Sequence, residues 1–143
     1  MSEHVAERLD AQAVQALFDR SPFISFMQLQ VVTLDHEKAE LTVKMPLRPE
    51  FERRTDTKQF HGGPIASFID TVGDLAIGML VGGGVPTINL RVDYLRAATG
   101  DELTATGRVR RSGRSVAVVD VDVMDAAGTL VAVGRGTYSS QRG

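Results

Sequence analysis

Apolar positions along the chain follow two different periods, and the switches between them outline its elements. Val5, Leu9, Ala13, Val14, Leu17 and Phe18 recur at helical spacing over residues 5–19, with charges between them, and Ser21-Pro22 follows as a stop signal. This predicts an amphipathic N-terminal helix within residues 1–20, lying as a lid over the rest. From Met27 the pattern turns to strand, and Ala39, Leu41, Val43 and Met45 alternate with Glu40, Thr42 and Lys44 as far as Pro46. Residues 46–60 are dense in charge and carry Pro46 and Pro49, the composition of a loop. Residues 64–81 read as one long apolar helix, with Pro64 suited to its first position and Gly82-Gly83-Gly84 ending it. Four strand-like stretches follow, at 87–96, 102–111, 115–125 and 130–139. Thr99-Gly100-Asp101, Ser112-Gly113 and Ala127-Gly128 separate them at hairpin spacing, which predicts an antiparallel meander.

The organisation is therefore α+β: a helix, two strands, one central helix, four strands. An antiparallel sheet with one apolar face must cover that face, and the 64–81 helix is the long apolar element available, so the sheet is expected to wrap it. Composition narrows the rest. The 143 residues contain no linker-like tract and fit a single domain, 1–143. A net charge of -2, from 16 Lys+Arg and 18 Asp+Glu, gives no overall field for nucleic acid or an anionic membrane. Cysteine is absent, which excludes disulfides and thiolate metal sites. The start has no signal-peptide core, and no apolar run is read as a membrane span, so the expected location is the cytoplasm, with no metal and no cofactor.

The candidate chemistry lies in "QFHGGPIASFIDTVGD", residues 59–74. Ile65, Phe68, Ile69, Val72, Ala76, Met79 and Leu80 form the stripe expected to pack into the sheet. Ala66, Ser67, Asp70, Gly73, Asp74 and Ile77 fall on the other side, small and polar, without the Lys or Glu that bulk solvent would favour. Asp70 and Asp74, one turn apart, repel each other. Either they are solvated helix acids or caps of neighbouring loops, or Asp70 is a general base or nucleophile in a cleft. His61-Gly62-Gly63 stands at the helix start, where unpaired amides meet the positive end of the helix dipole. Such a turn can hold an oxyanion; it can also be a plain glycine turn capped by His61. Arg108, Arg110, Arg111 and Arg114 gather beside a hairpin, as a phosphate site or as a solubilising tip.

Taken together, "HGGPIASFID", "PTINLRVDYLR", "GRVRRSGRSVAVVDVDV" and "LVAVGRGTYS" resemble the hotdog-fold acyl-CoA thioesterases of the PaaI-like type, from about Leu29 to Ser139. The resemblance implies a helix wrapped by a sheet, a homodimer with a continuous sheet, and often a homotetramer. It implies that Asp70 attacks the thioester or activates water, that the Gly62 amide behind His61 polarises the carbonyl, and that Asn89 assists near the water. Asp74 stands where relatives carry a hydroxyl or small polar group. The segment Arg111-Ser112-Gly113-Arg114 is similar to one that contacts coenzyme A, with Gln59 and Gly63 as further binding candidates. Six positions before His61, where many relatives have Asn or Gln, this chain has Thr55.

Geometry adds a constraint. Gly62 and Asp70 are eight residues apart, about 12 Å along a helix axis. One thioester carbon cannot lie ~3 Å from both in one chain, so a site using both draws them from two protomers. The leading expectation is hydrolysis of an acyl-CoA thioester. The alternative is a non-catalytic acyl-CoA binding or sensing module, and dehydration of a hydroxyacyl thioester ranks last because His61 sits at the helix start.

Overall fold

A single long helix organises the molecule. In the computed structural model, which describes residues 7–141, it is α3 (Gly62–Val81), preceded by α1 (Ala11–Arg20), α2 (Pro22–Met27), β1 (Gln30–Asp35) and β2 (Glu40–Pro46). After it come β3 (Thr87–Tyr94), β4 (Glu102–Ser112), β5 (Val116–Asp125) and β6 (Leu130–Ser139). His61, in extended conformation, caps the start of α3, and Gly82 at φ 92° closes it in the left-handed conformation that glycine adopts without strain. The helix thus begins two residues before Pro64, whose missing N–H costs nothing within the first turn.

The strands form one antiparallel sheet in the order β1-β2-β4-β5-β6-β3, curled so that α3 packs on β2 through β6. Ile65, Phe68, Ile69, Val72, Ala76 and Met79 are buried as their spacing predicts. Gly73 and Ile77 are buried too, which corrects their assignment to the outer face: the sheet wraps far enough round to cover them, and Tyr138 lies directly over Gly73. Leu80 is only half-buried. Mean hydropathy over α3 reaches 1.5, enough in length and composition for a membrane span, but this helix is the protein's core.

β4, β5 and β6 form the expected meander, whereas β3 does not join it as a neighbour of β4. It pairs with β6 at the far edge, in the register Leu90↔Gly136. Thr99-Gly100-Asp101 is therefore not a hairpin tip. Residues 95–101 cross from that edge over β6 and β5 to β4, about 14 Å at the usual strand spacing, which seven residues span easily. The crossover is pinned beside the start of α3, where the Ala98 carbonyl accepts from the Phe60 N–H at 2.8 Å.

The N-terminal helix is shorter than its spacing predicts. Val5 lies outside the described residues, residues 7–10 are not helical, and Asp10 caps α1 by accepting from the Ala13 N–H at 2.8 Å. Leu9 instead donates its N–H to the Met79 carbonyl. Pro22, read as a stop, opens α2 from its first helical position.

Candidate active site

The turn ahead of α3 is clamped on three sides. The His61 N–H donates to the Phe51 carbonyl at 2.7 Å, His61 Nδ1 accepts from the Gly63 N–H at 3.0 Å, and the Tyr94 hydroxyl donates to the Gly62 carbonyl at 2.7 Å. The Gly62 N–H belongs to the first turn, where no intrahelical acceptor exists, and it has no acceptor among the described residues. Gly62 lines a cleft of about 600 Å³ together with Arg53, Gln59, His61, Gly63, Tyr94 and residues 95–98 of the crossover, which include Arg96. Gln59, His61, Gly62 and Gly63 are thus brought together around one cleft, and the Gly62 N–H has no acceptor among the described residues.

Asp70 stands farther along the same helix, outside that cleft and half-buried. Its Oδ1 accepts from the Thr87 hydroxyl at 2.8 Å, and its backbone carbonyl accepts from the Tyr138 hydroxyl at 3.1 Å. Tyr138 is fully buried between Gly73 and Gly136, where any Cβ would overlap its ring. Burial, reinforced by the Asp70 charge, pushes its phenol well above the ordinary range, so it keeps the proton that it donates to the Asp70 carbonyl.

Asp74, one turn on, has a structural partner: its Oδ1 accepts from the Val85 N–H at 2.8 Å and fixes the glycine loop that leads into β3. Burial raises its pKa to about 7; the Val85 bond opposes that shift and the Asp70 charge adds to it. Asn89 is exposed on β3 opposite Thr137, and it is Thr87 that touches the Asp70 carboxylate.

The four arginines divide into two pairs. Arg108 bonds to Glu40 and Asp122 across the outer face of the sheet. Arg110 pairs with Asp120, whose carboxyl is held below its usual range chiefly by the Arg135 hydrogen bond. Arg111 and Arg114, at the β4–β5 tip with Ser112 and Gly113, are exposed and without an ion pair among the described residues. The tip lies beside the start of β3, since Val116 pairs with Ser139 and the Ser139 N–H donates to Pro86. The site residues therefore fall into two groups at opposite ends of β3: the cleft at Tyr94, and Asp70 with the arginine tip at Thr87. Thr87, Tyr94 and Tyr138 carry no spacing signal that would have singled them out from the sequence.

Against known proteins, the thioesterase superfamily model matches residues 59–132. A Halobacterium salinarum protein with the provisional name of esterase is 34% identical, covering 90% of each chain. The Escherichia coli medium/long-chain acyl-CoA thioesterase YigI is 29% identical over 82% of this chain and 84% of its own. A solved structure from the thioesterase superfamily, 31% identical, superposes with a TM-score of 0.84 over 90% of this chain and 96% of that one. The Escherichia coli PaaI structure shares the fold, with a TM-score of 0.78 at 24% identity, covering 92% of this chain and 93% of its own. Agreement in sequence and fold thus extends along nearly the whole chain, and the protein belongs to the thioesterase superfamily as a hotdog-fold thioester hydrolase.

Proposed function

We propose that the protein hydrolyses acyl-CoA thioesters as a homodimer in which each site pairs the Gly62 turn of one protomer with Asp70 of the other. The observation that carries this reading is the unused Gly62 amide in the cleft, on the same helix as a carboxylate about 12 Å away. β3 has one free edge, and Ile88 on it and Leu95 just past its end are exposed. An antiparallel two-fold contact along that edge sets the Tyr94 end of one β3 beside the Thr87 end of the other. The cleft of one protomer then meets Asp70 and the arginine tip of its partner. Relatives named as acyl-CoA thioesterases support the substrate class.

In this reading the thioester carbonyl oxygen accepts from the Gly62 N–H, which stabilises negative charge as the carbon becomes tetrahedral. Asp70, oriented by Thr87, takes a proton from the attacking water, or attacks the carbon itself to give an anhydride that water opens. In the first route the C–S bond breaks and Asp70 passes its proton to the departing thiolate; in the second the thiolate leaves as the anhydride forms and takes a proton from solvent, and water then opens the anhydride to the free acid and the Asp70 carboxylate. Arg111 and Arg114 hold nucleotide phosphates.

A panel of butyryl-, octanoyl-, palmitoyl- and phenylacetyl-CoA, followed by free thiol release, tests this directly. Wild type is expected to turn over at least one of them. Asp70→Asn, which still accepts from Thr87, is expected to lower kcat by about 10²-fold or more. No turnover of any thioester, or an unchanged kcat in Asp70→Asn, refutes the reading.

A further inference from the structure

We infer that Tyr94 is a positioning residue of this enzyme, one that sets the direction of the Gly62 amide by holding the carbonyl of the same residue. The inference rests on Gly62 being the oxyanion donor and adds the group that keeps it aimed.

A glycine in the first turn of a helix is the backbone position least able to hold its own orientation, because it has no side chain and few helical bonds. Two of the three clamps on this turn, the Phe51 carbonyl and His61 Nδ1, act on the residues on either side of Gly62. Of the three clamps, the Tyr94 hydroxyl is the one that acts on Gly62 itself, at 2.7 Å, beside the helical bond that the Gly62 carbonyl accepts within α3. Its ring also walls the residue in: a Cβ on Gly62 would lie 3.2 Å from both Cζ and the hydroxyl oxygen of Tyr94. Tyr94 on the Gly62 carbonyl and His61 Nδ1 on the Gly63 N–H hold the peptide plane after Gly62, while the His61 N–H bond to Phe51 holds the chain before it. That leaves the Gly62 N–H without an acceptor among the described residues, on a residue that lines the cleft together with Tyr94.

Tyr94 ends β3, so the clamp comes from the sheet edge rather than from the turn. The arrangement can hold the donor ready before substrate arrives, which spares reorganisation during the reaction. Tyr94 is 52% exposed in the single protomer and phenylalanine keeps its ring, so deleting the hydroxyl removes no core packing. A loss of activity in Tyr94→Phe would then report aim rather than stability.

The test compares wild type, Tyr94→Phe, Gly62→Ala and the double variant on the best substrate of the acyl-CoA panel, with melting curves for each. Tyr94→Phe is expected to lower kcat about 10-fold, with KM within 2-fold and an unchanged melting temperature. Gly62→Ala keeps the N–H but sets a Cβ 3.2 Å from the Tyr94 hydroxyl, which must give by a few tenths of an ångström, so adding Tyr94→Phe to it is expected to cost less than that change costs alone. A wild-type kcat in Tyr94→Phe, a change confined to KM, or full additivity in the double variant overturns the inference. If wild type is active and Asp70→Asn is dead while Tyr94→Phe is normal, only the role of Tyr94 fails. If Asp70→Asn is active, the reading beneath it fails.

Discussion

Replacing Asp74 by Asn is expected to stabilise the protein by an amount that grows with pH. The carboxyl is largely removed from water, and burial raises its pKa from 3.8 to about 7, with the Val85 N–H as its hydrogen-bonded partner. In the unfolded chain it titrates near 3.9. Native protein therefore binds the proton more tightly, so the contribution of Asp74 to stability is complete below pH 4 and is lost as pH rises to about 7. A shift of about three units corresponds to ~4 kcal/mol. Asparagine keeps an oxygen to accept from Val85 and never ionises, so it behaves as the protonated acid at every pH. The stability difference between Asp74→Asn and wild type should widen by ~4 kcal/mol between pH 4 and pH 8, most of it before pH 7, equivalent to about 10 °C in melting temperature. Urea unfolding followed by circular dichroism at several pH values, at one fixed protein concentration, measures it. Parallel curves for the two proteins would mean that Asp74 ionises as easily folded as unfolded. A variant that becomes the less stable one at pH 8 would mean that a charged bond to Val85 outweighs burial, and the argument would be wrong.

Two further outcomes follow from other parts of the structure. Arg111→Ala and Arg114→Ala should each raise KM for an acyl-CoA several-fold, with little effect on an acyl-pantetheine that lacks the nucleotide phosphates; equal changes on both substrates would remove these arginines from the nucleotide site. Tyr138→Phe should lose about 1 kcal/mol, or 2–4 °C, because it deletes one buried hydrogen bond to the Asp70 carbonyl and keeps the ring between Gly73 and Gly136; an unchanged melting temperature would show that this bond contributes nothing.

What was legible in the sequence was whatever local spacing encodes. The run 64–81 announced α3 because no other stretch is apolar for so long, and the 130–139 strand matched β6 end to end. The meander failed at β3 because turn residues such as Thr99-Gly100-Asp101 specify a change of direction and not a partner; the pairing with β6 depends on the strand order of the whole sheet. Gly73 and Ile77 were placed outside because a helical wheel assumes one buried stripe, and this helix is wrapped on most sides. The N-terminal helix was overextended because Leu9 keeps the spacing of a helix while its N–H is spent on Met79.

The same limit applies to the site. The His61-Gly62-Gly63 turn and Asp70 stood out by type and spacing, since glycines at a helix start and acids in an apolar helix are each costly without a use. Spacing alone shows Asp70 and Asp74 as two acids one turn apart, and their different partners, the Thr87 hydroxyl and the Val85 N–H, come from the fold. The arginine cluster looked uniform until cross-strand register gave Glu40, Asp120 and Asp122 to Arg108 and Arg110. Thr87 is an ordinary residue at the start of a strand, and its importance lies in a contact 17 positions away in the chain.

The central claim, a site shared between protomers, is tested most directly by mixing two inactive variants. Gly62→Pro removes the donor N–H at a position where proline is tolerated, and His61 already has the extended backbone that a following proline requires. The Tyr94 ring must give by a few tenths of an ångström to admit its Cβ. Asp70→Asn removes the acid. When the two are unfolded and refolded together in equal amounts, about half of the dimers are mixed, each with one intact and one doubly altered site, so thiol release should recover to about a quarter of wild type. Verified mixed dimers that remain as inactive as either parent would contradict the account.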